Sequence, residues 1–116
     1  AFKPGTDDVR ESPALIVVPE LARRGAIIAC HDPIALHTGK AALEAGGLDL
    51  SEIKFTHDLA DAIADCDAAV IVTSWPDYAG LPALLEQRED PRPLLVDGRR
   101  MIPVDHYGPY TGIGLR

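Results

Sequence analysis

Three basic side chains stand where a phosphate could be held. Lys3 precedes Pro4-Gly5, a pair suited to a tight turn. Arg99 and Arg100 follow an apolar run and a glycine in "PLLVDGRR". A lysine fixed against a turn can pair with a phosphate, and an arginine can meet one through two parallel N–H donors. The competing reading for each is a solvated surface cation, and the local sequence leaves both open.

The remaining polar residues point less directly to chemistry. Asp7 and Asp8 lie beside Arg10 and Glu11 and read as a locally paired, solvated charge run. Acid–base work by two carboxylates would need burial to separate their pKa values. His31, His37, His57 and His106 show no HxH or HExxH spacing, which favours surface or capping roles over metal. Asp32 directly follows the apolar run "AIIAC". An acid there can accept from a ribose hydroxyl in a dinucleotide site, or it can cap the turn before Pro33. No glycine fingerprint precedes it, which favours the cap. Ser74 has no base near it in sequence. The GxG at the tail has no helix after it and is weak as a phosphate loop. Cys30 and Cys66 border apolar runs without CxxC spacing and read as buried free thiols.

These residues need a scaffold. "AIIAC" (Ala26–Cys30), "AAVIVTS" (Ala68–Ser74) and "PLLVDG" (Pro93–Gly98) are short, continuous apolar runs. Such runs suit strands buried on both faces, as in a parallel sheet. Helical stretches fall between them. "IALHTGKAALEAGG" ends at a Gly pair, "THDLADAIADC" offers Thr56 as N-cap, and "YAGLPALLEQRE" is shorter. "SPALIVVPELARRG" has Ser12 and Pro13 at its start and Gly25 as its stop. Pro19 falls inside it, so one helix, bent or restarted there, is expected. "YTGIG" suits a last edge strand. The alternation predicts an α/β domain with a doubly wound, mainly parallel sheet and helices on both faces. Its main strands are expected at Ala26–Cys30, Ala68–Thr73 and Leu94–Val96.

At 116 residues, with 47% apolar residues, the chain reads as one domain, residues 1–116. The formal charge of -7 argues against nucleic acid or an anionic membrane as a general partner. A small anion can still be held by a few local cations. No membrane-length apolar run or signal peptide is present, which makes the cytoplasm the default compartment.

"AFKPGTDDVRESPA" resembles the opening of the C-terminal domain of the UDP-glucose/GDP-mannose dehydrogenase family. "DCDAAVIVTSWPDY", "LLVDGRR" and "YTGIG" match further stretches of that domain in order, and "HDP" sits where the family often has an aromatic-Asp-Pro turn. The resemblance implies a Rossmann-like domain for a nucleotide sugar within an NAD-dependent enzyme. That enzyme oxidises the sugar 6-hydroxyl to a carboxylate in a four-electron reaction, and UDP-glucose is the favoured substrate. It further implies that Phe2 and Lys3 contact the nucleotide and its phosphates, that Arg99 holds the nucleotide sugar, and that Arg10 reaches toward NAD. The family's NAD fingerprint and its catalytic cysteine motif are absent, so neither Cys30 nor Cys66 inherits that role and the isolated chain is expected to be inactive. NAD is expected to bind mainly to a separate N-terminal domain. A central domain and a homo-oligomer are the other implied partners. The family's first strand, which normally ends just before "AFKP", is not in the chain. A gap or exposed edge in the sheet is therefore expected, in a piece of a longer polypeptide. The alternatives are a stand-alone nucleotide-sugar-binding or subunit-interface module, or the same domain from a GDP-mannose or UDP-N-acetylhexosamine dehydrogenase.

Overall fold

The computed structural model describes residues 1–116 except Phe2, Asp90 and 114–116. Helix α1 (Ala14–Arg23) leads to strand β1 (Ala29–His31), α2 (Leu36–Ala45), β2 (Lys54–Thr56), α3 (Leu59–Ile63) and β3 (Ala68–Ile71). A 3₁₀ turn (Pro76–Gly80), α4 (Leu81–Glu86), β4 (Leu94–Asp97) and β5 (Tyr110–Gly112) complete the order. Every strand pairing is parallel: β1 with β2, and β3 with β4 with β5. No helix among the described residues is long and apolar enough to cross a membrane.

Glycine ends the first two helices by the same device. Gly25 and Gly47 have φ of 87° and 93°, the left-handed region that a side chain disfavours. Gly25 donates to the Ala22 carbonyl at 3.0 Å and Ala26 to that of Leu21 at 3.0 Å. Gly47 and Leu48 repeat the pattern on Glu44 and Leu43 at 3.0 and 3.1 Å. Both are Schellman caps, which satisfy the last carbonyls of a helix. Helix α1 runs on through Pro19, so the expected single helix is present.

Helices cover both faces. Leu15 and Val18 of α1 and Leu36 and Leu43 of α2 line one cavity with Cys30, Phe55, Val70 and Val72. On the other face Ile71 and Leu95 form a buried core with Ile63, Leu81, Leu85, Trp75 and Tyr107. Leu85 and Leu95 are fully buried there.

The strands differ from the sequence reading in three ways. The first falls at Ala29–His31, not Ala26–Cys30. Ala26 is consumed in the α1 cap and Ile27 is 99% exposed, so the pairing starts where the Ile28 carbonyl accepts from Lys54 N–H at 3.1 Å. The strand Lys54–Thr56 has no apolar run to announce it. It ends at Thr56, whose hydroxyl accepts from Asp58 N–H at 3.0 Å, and Asp58 instead caps α3 by accepting from Ala60 N–H at 3.0 Å. Finally, the expected strands do not share one ladder. β1 lies in a two-stranded sheet and β3 and β4 in a three-stranded one. The expected gap therefore falls between β1 and β3, where Cys30, Val70, Val72, Leu15 and Val18 line a cavity of about 100 Å³.

Within the larger sheet, Gly98 brings β4 against the end of β3, donating to the Ile71 carbonyl at 2.9 Å. A Cβ on Gly98 would lie 2.6 Å from that same oxygen. Gly98→Ala is expected to destabilise the chain by about 1–3 kcal/mol, as overpacking of a rigid backbone contact does. Thermal melts followed by circular dichroism check this, and an unchanged midpoint would contradict the contact.

Candidate functional site

Parallel strands carry their carboxyl ends to one edge. β1 runs into Asp32, β3 into Val72–Ser74, and β4 into Gly98–Arg100. From β1 the chain winds outward to β2. From β3 it winds the other way, to β4 and β5. The direction of winding reverses between β1 and β3, and in open α/β sheets ligands bind at the carboxyl edge of such a reversal.

Ala1 occupies the mouth of this reversal. Its nitrogen donates to Asp32 Oδ2 at 2.9 Å, and its carbonyl accepts from Thr73 Oγ1 at 2.6 Å and Ser12 Oγ at 3.2 Å. Lys3 follows two residues later and is exposed, so the turn Lys3-Pro4-Gly5 starts at the carboxyl edge. Gly5 supplies the left-handed conformation of that turn, with φ of 85°. Phe2 lies outside the described residues.

Arg99 reaches the same edge from β4. Its Nε donates to the Val72 carbonyl, just past β3, at 2.9 Å. Thus Arg99 is hydrogen-bonded to the chain just past β3 at Val72, and Ala1, two residues before Lys3, is hydrogen-bonded to Thr73 beside it. Arg100 departs in another direction. It adopts φ of 54°, and its Nη1 donates to the Ile113 carbonyl beyond β5 at 2.8 Å.

Arg10 sits on the loop that docks onto α2, where Thr38 Oγ1 donates to the Asp7 carbonyl at 2.6 Å. Its Nε and Nη2 clamp Asp8, with the Nη2 donating to Oδ2 at 2.7 Å. That side-chain hydrogen bond lowers the Asp8 pKa to about 2. The pair is exposed, so it orders the loop without contributing much stability. The "DDVRE" run is locally paired, as the sequence suggested.

Asp32 is a cap. Its Oδ1 accepts from Ile34 N–H at 2.8 Å and Ala35 N–H at 2.6 Å, ahead of α2, and its Oδ2 also accepts from Trp75 Nε1 at 3.2 Å. Desolvation raises its pKa, and the N–H groups of Ala35 and Ile34 lower it. The backbone donors before α2 are thus already taken by a carboxylate, and those of α3 are taken by Asp58. Pyrophosphate groups of dinucleotides bind to such donors at helix starts. At the start of α3 the Asp58 carboxylate holds the donors that a pyrophosphate would need.

The His31 ring is held within the fold. His31 Nδ1 lies 3.0 Å from Tyr78 Oη and its Nε2 lies 3.1 Å from the His57 carbonyl. Burial pushes the Tyr78 phenol up, followed by the nearby Asp32 charge. Among the described residues no group of three His, Cys, Asp or Glu could hold a metal. Both cysteines are free, and burial raises the Cys30 thiol to about 11, which leaves it inert as a nucleophile.

Asp97 is the residue that sequence reading passed over. It ends β4 fully buried, with Oδ1 accepting from Arg99 N–H at 3.1 Å and Oδ2 from Ile102 N–H at 2.7 Å and Tyr110 Oη at 3.0 Å. Its signal was the Asp-Gly before the arginines, a turn-forming pair whose acid can bind its own loop.

The sequence pattern of the UDP-glucose/GDP-mannose dehydrogenase family, UDP binding domain, matches residues 1–104. The chain belongs to this family. It is 38% identical over 102 residues to a UDP-glucose 6-dehydrogenase of Pseudomonas aeruginosa, covering 87% of this chain and 22% of that one. It is 36% identical to a UDP-glucose 6-dehydrogenase of Rhizobium meliloti, covering 97% of this chain and 25% of that one. A solved UDP-glucose dehydrogenase from Pyrobaculum islandicum superimposes with a TM-score of 0.78 at 32% identity, over all of this chain and 24% of that one. The chain therefore spans about a quarter of the length of these relatives.

Asp97 titrates low. Desolvation raises its pKa, but the N–H groups of Ile102, Met101 and Arg99 and the Tyr110 hydroxyl outweigh it. A carboxylate with a depressed folded pKa contributes stability that is full above its unfolded value of about 4 and is lost as pH falls through the folded value. Melting temperature is expected to fall steeply as pH is lowered below about 4. Asp97→Asn should already melt lower at neutral pH and should show a shallower acid slope. Equal slopes in both proteins would count against Asp97 as an ionised anchor.

Proposed function

We propose that this chain is the nucleotide-sugar-binding domain of a longer NAD-dependent UDP-glucose 6-dehydrogenase, forming a single domain over residues 1–116. The observation that carries this reading is the hydrogen bond that brings Arg99 to the end of β3, beside the Thr73 that holds Ala1 two residues before Lys3, in a chain that belongs to the family's UDP binding domain. Two cations at a carboxyl-edge reversal suit a diphosphate, with a planar guanidinium able to give two parallel hydrogen bonds. Phe2 beside Lys3 contacts the nucleotide in this reading, and Arg10 reaches toward NAD from its loop on α2.

The domain supplies binding and orientation. Holding the diphosphate fixes where the glucose 6-hydroxyl lies, and positioning of this kind converts binding energy into rate. The oxidation removes four electrons, with hydride acceptance supplied by NAD when bound. NAD finds its pyrophosphate cradle in another part of the longer protein, in keeping with the Asp58 carboxylate that caps α3 and the missing glycine fingerprint. Catalysis by a cysteine likewise belongs to that other part, in keeping with the raised thiol of Cys30.

Arg99→Ala and Lys3→Ala are each expected to weaken UDP binding about ten-fold or more, since a hydrogen bond to a charged group is worth roughly 1.5–3 kcal/mol. NAD binding by the longer protein should change little. Calorimetric titration of both ligands into each variant checks this. Unchanged UDP affinity in both variants would remove these residues from the site.

A further inference from the structure

We infer that Asp97 and Tyr110 are a positioning pair, which aims the Arg99 guanidinium at the carboxyl end of β3. The inference rests on the proposed nucleotide site and adds residues that do not themselves touch the ligand.

The geometry is a loop folded around one buried carboxylate. Asp97 Oδ1 holds the N–H of Arg99 and Oδ2 holds that of Ile102, so both ends of the intervening loop hang on the same side chain. Asp97 is 0% exposed. In such a site each acceptor that loses its donor is costly, so the loop has little freedom to drift. Tyr110 supplies the third donor from β5, the far strand of the sheet.

Arg100 completes the arrangement. Its left-handed backbone is uncommon for a residue with a side chain and reverses the chain between the two arginines. Its side chain then crosses Gly112, where a Cβ would lie 2.6 Å from Arg100 Cδ and 3.0 Å from Tyr110 Oη. Arg100 is spent on β5 through the Ile113 carbonyl, and Arg99 is sent to β3 through Val72. The paired arginines thus have separate tasks. Arginine has many rotamers, and its use as an anion clamp depends on holding one of them.

A double-mutant cycle on the full chain tests this, with UDP as the titrant in calorimetry and the proteins Arg99→Ala, Tyr110→Phe and their combination. Tyr110→Phe keeps the ring and removes the hydroxyl, which donates to Asp97 and also faces Arg100. It is expected to weaken UDP binding about five-fold, the scale of one hydrogen bond. The combined variant should bind no more weakly than Arg99→Ala alone, because Tyr110 acts through Arg99. In ¹⁵N spectra the Arg99 Nε–H signal should shift in Tyr110→Phe while the amides of Val70, Val96 and Thr111 stay in place. Asp97→Asn is the second variant, read in the same cycle should Tyr110→Phe lose its sheet amides. Wild-type affinity in Tyr110→Phe, or losses that multiply in the combined variant, would overturn the positioning pair while leaving the site intact. Unchanged UDP affinity in Arg99→Ala would overturn the nucleotide site itself, and the pair with it.

Discussion

The Asp32 carboxylate joins parts of the molecule that no strand pairing joins. Its two oxygens take donors from the Ala1 nitrogen, the start of α2 and the indole of Trp75, which follows β3. The sheet containing β1 and the sheet containing β3 have no shared ladder. A buried, ionised carboxylate is tolerated only when its lone pairs are filled, and here four donors fill them. The same requirement links β1 and β3 at their carboxyl ends, the edge that Arg99 reaches through Val72.

A second buried carboxylate does for the other half what Asp32 does for the first. Asp97 gathers its loop and β5 around the end of β4. In both cases an acid stands right at or after a strand end and binds backbone N–H groups of the following segment. This explains how an acidic chain of net charge -7 can present cations at one edge. These two acids are turned inward onto the backbone. The exposed acids of α3 and the first loop are answered locally, as Asp61 is by Lys54 and Asp8 by Arg10.

The division of labour within the basic residues follows from backbone geometry. Neighbouring residues on an extended strand point to opposite faces. Arg99 and Arg100 lie past the strand, where a left-handed residue replaces that alternation and separates their targets by the width of the sheet. Gly98 and Gly112 are the complementary constraints, since one admits the Ile71 carbonyl and the other the Arg100 side chain.

Several features were legible in the residues alone because their causes are local. Gly25 and Gly47 stop helices through their own φ, Asp32 before Pro33 reads as a cap, and the apolar runs at Ala68–Thr73 and Leu94–Val96 read as parallel strands, observed at Ala68–Ile71 and Leu94–Asp97. The ordered stretches "AFKPGTDDVRESPA", "DCDAAVIVTSWPDY" and "LLVDGRR" resembled the family to which the chain proved to belong. What the tertiary structure decided is non-local. β2 at Lys54–Thr56 exists because the Ile28 carbonyl offers it a partner, and nothing in its own three residues says so. The cap of α3 moved from Thr56 to Asp58 because β2 claimed Thr56. The ends at which Ala1 and Arg99 are anchored, and the burial of Asp97 beside Tyr110, depend on which strand ends meet. That is set by hydrogen bonds between residues 13 to 72 positions apart, a separation over which side-chain type carries no information about contact.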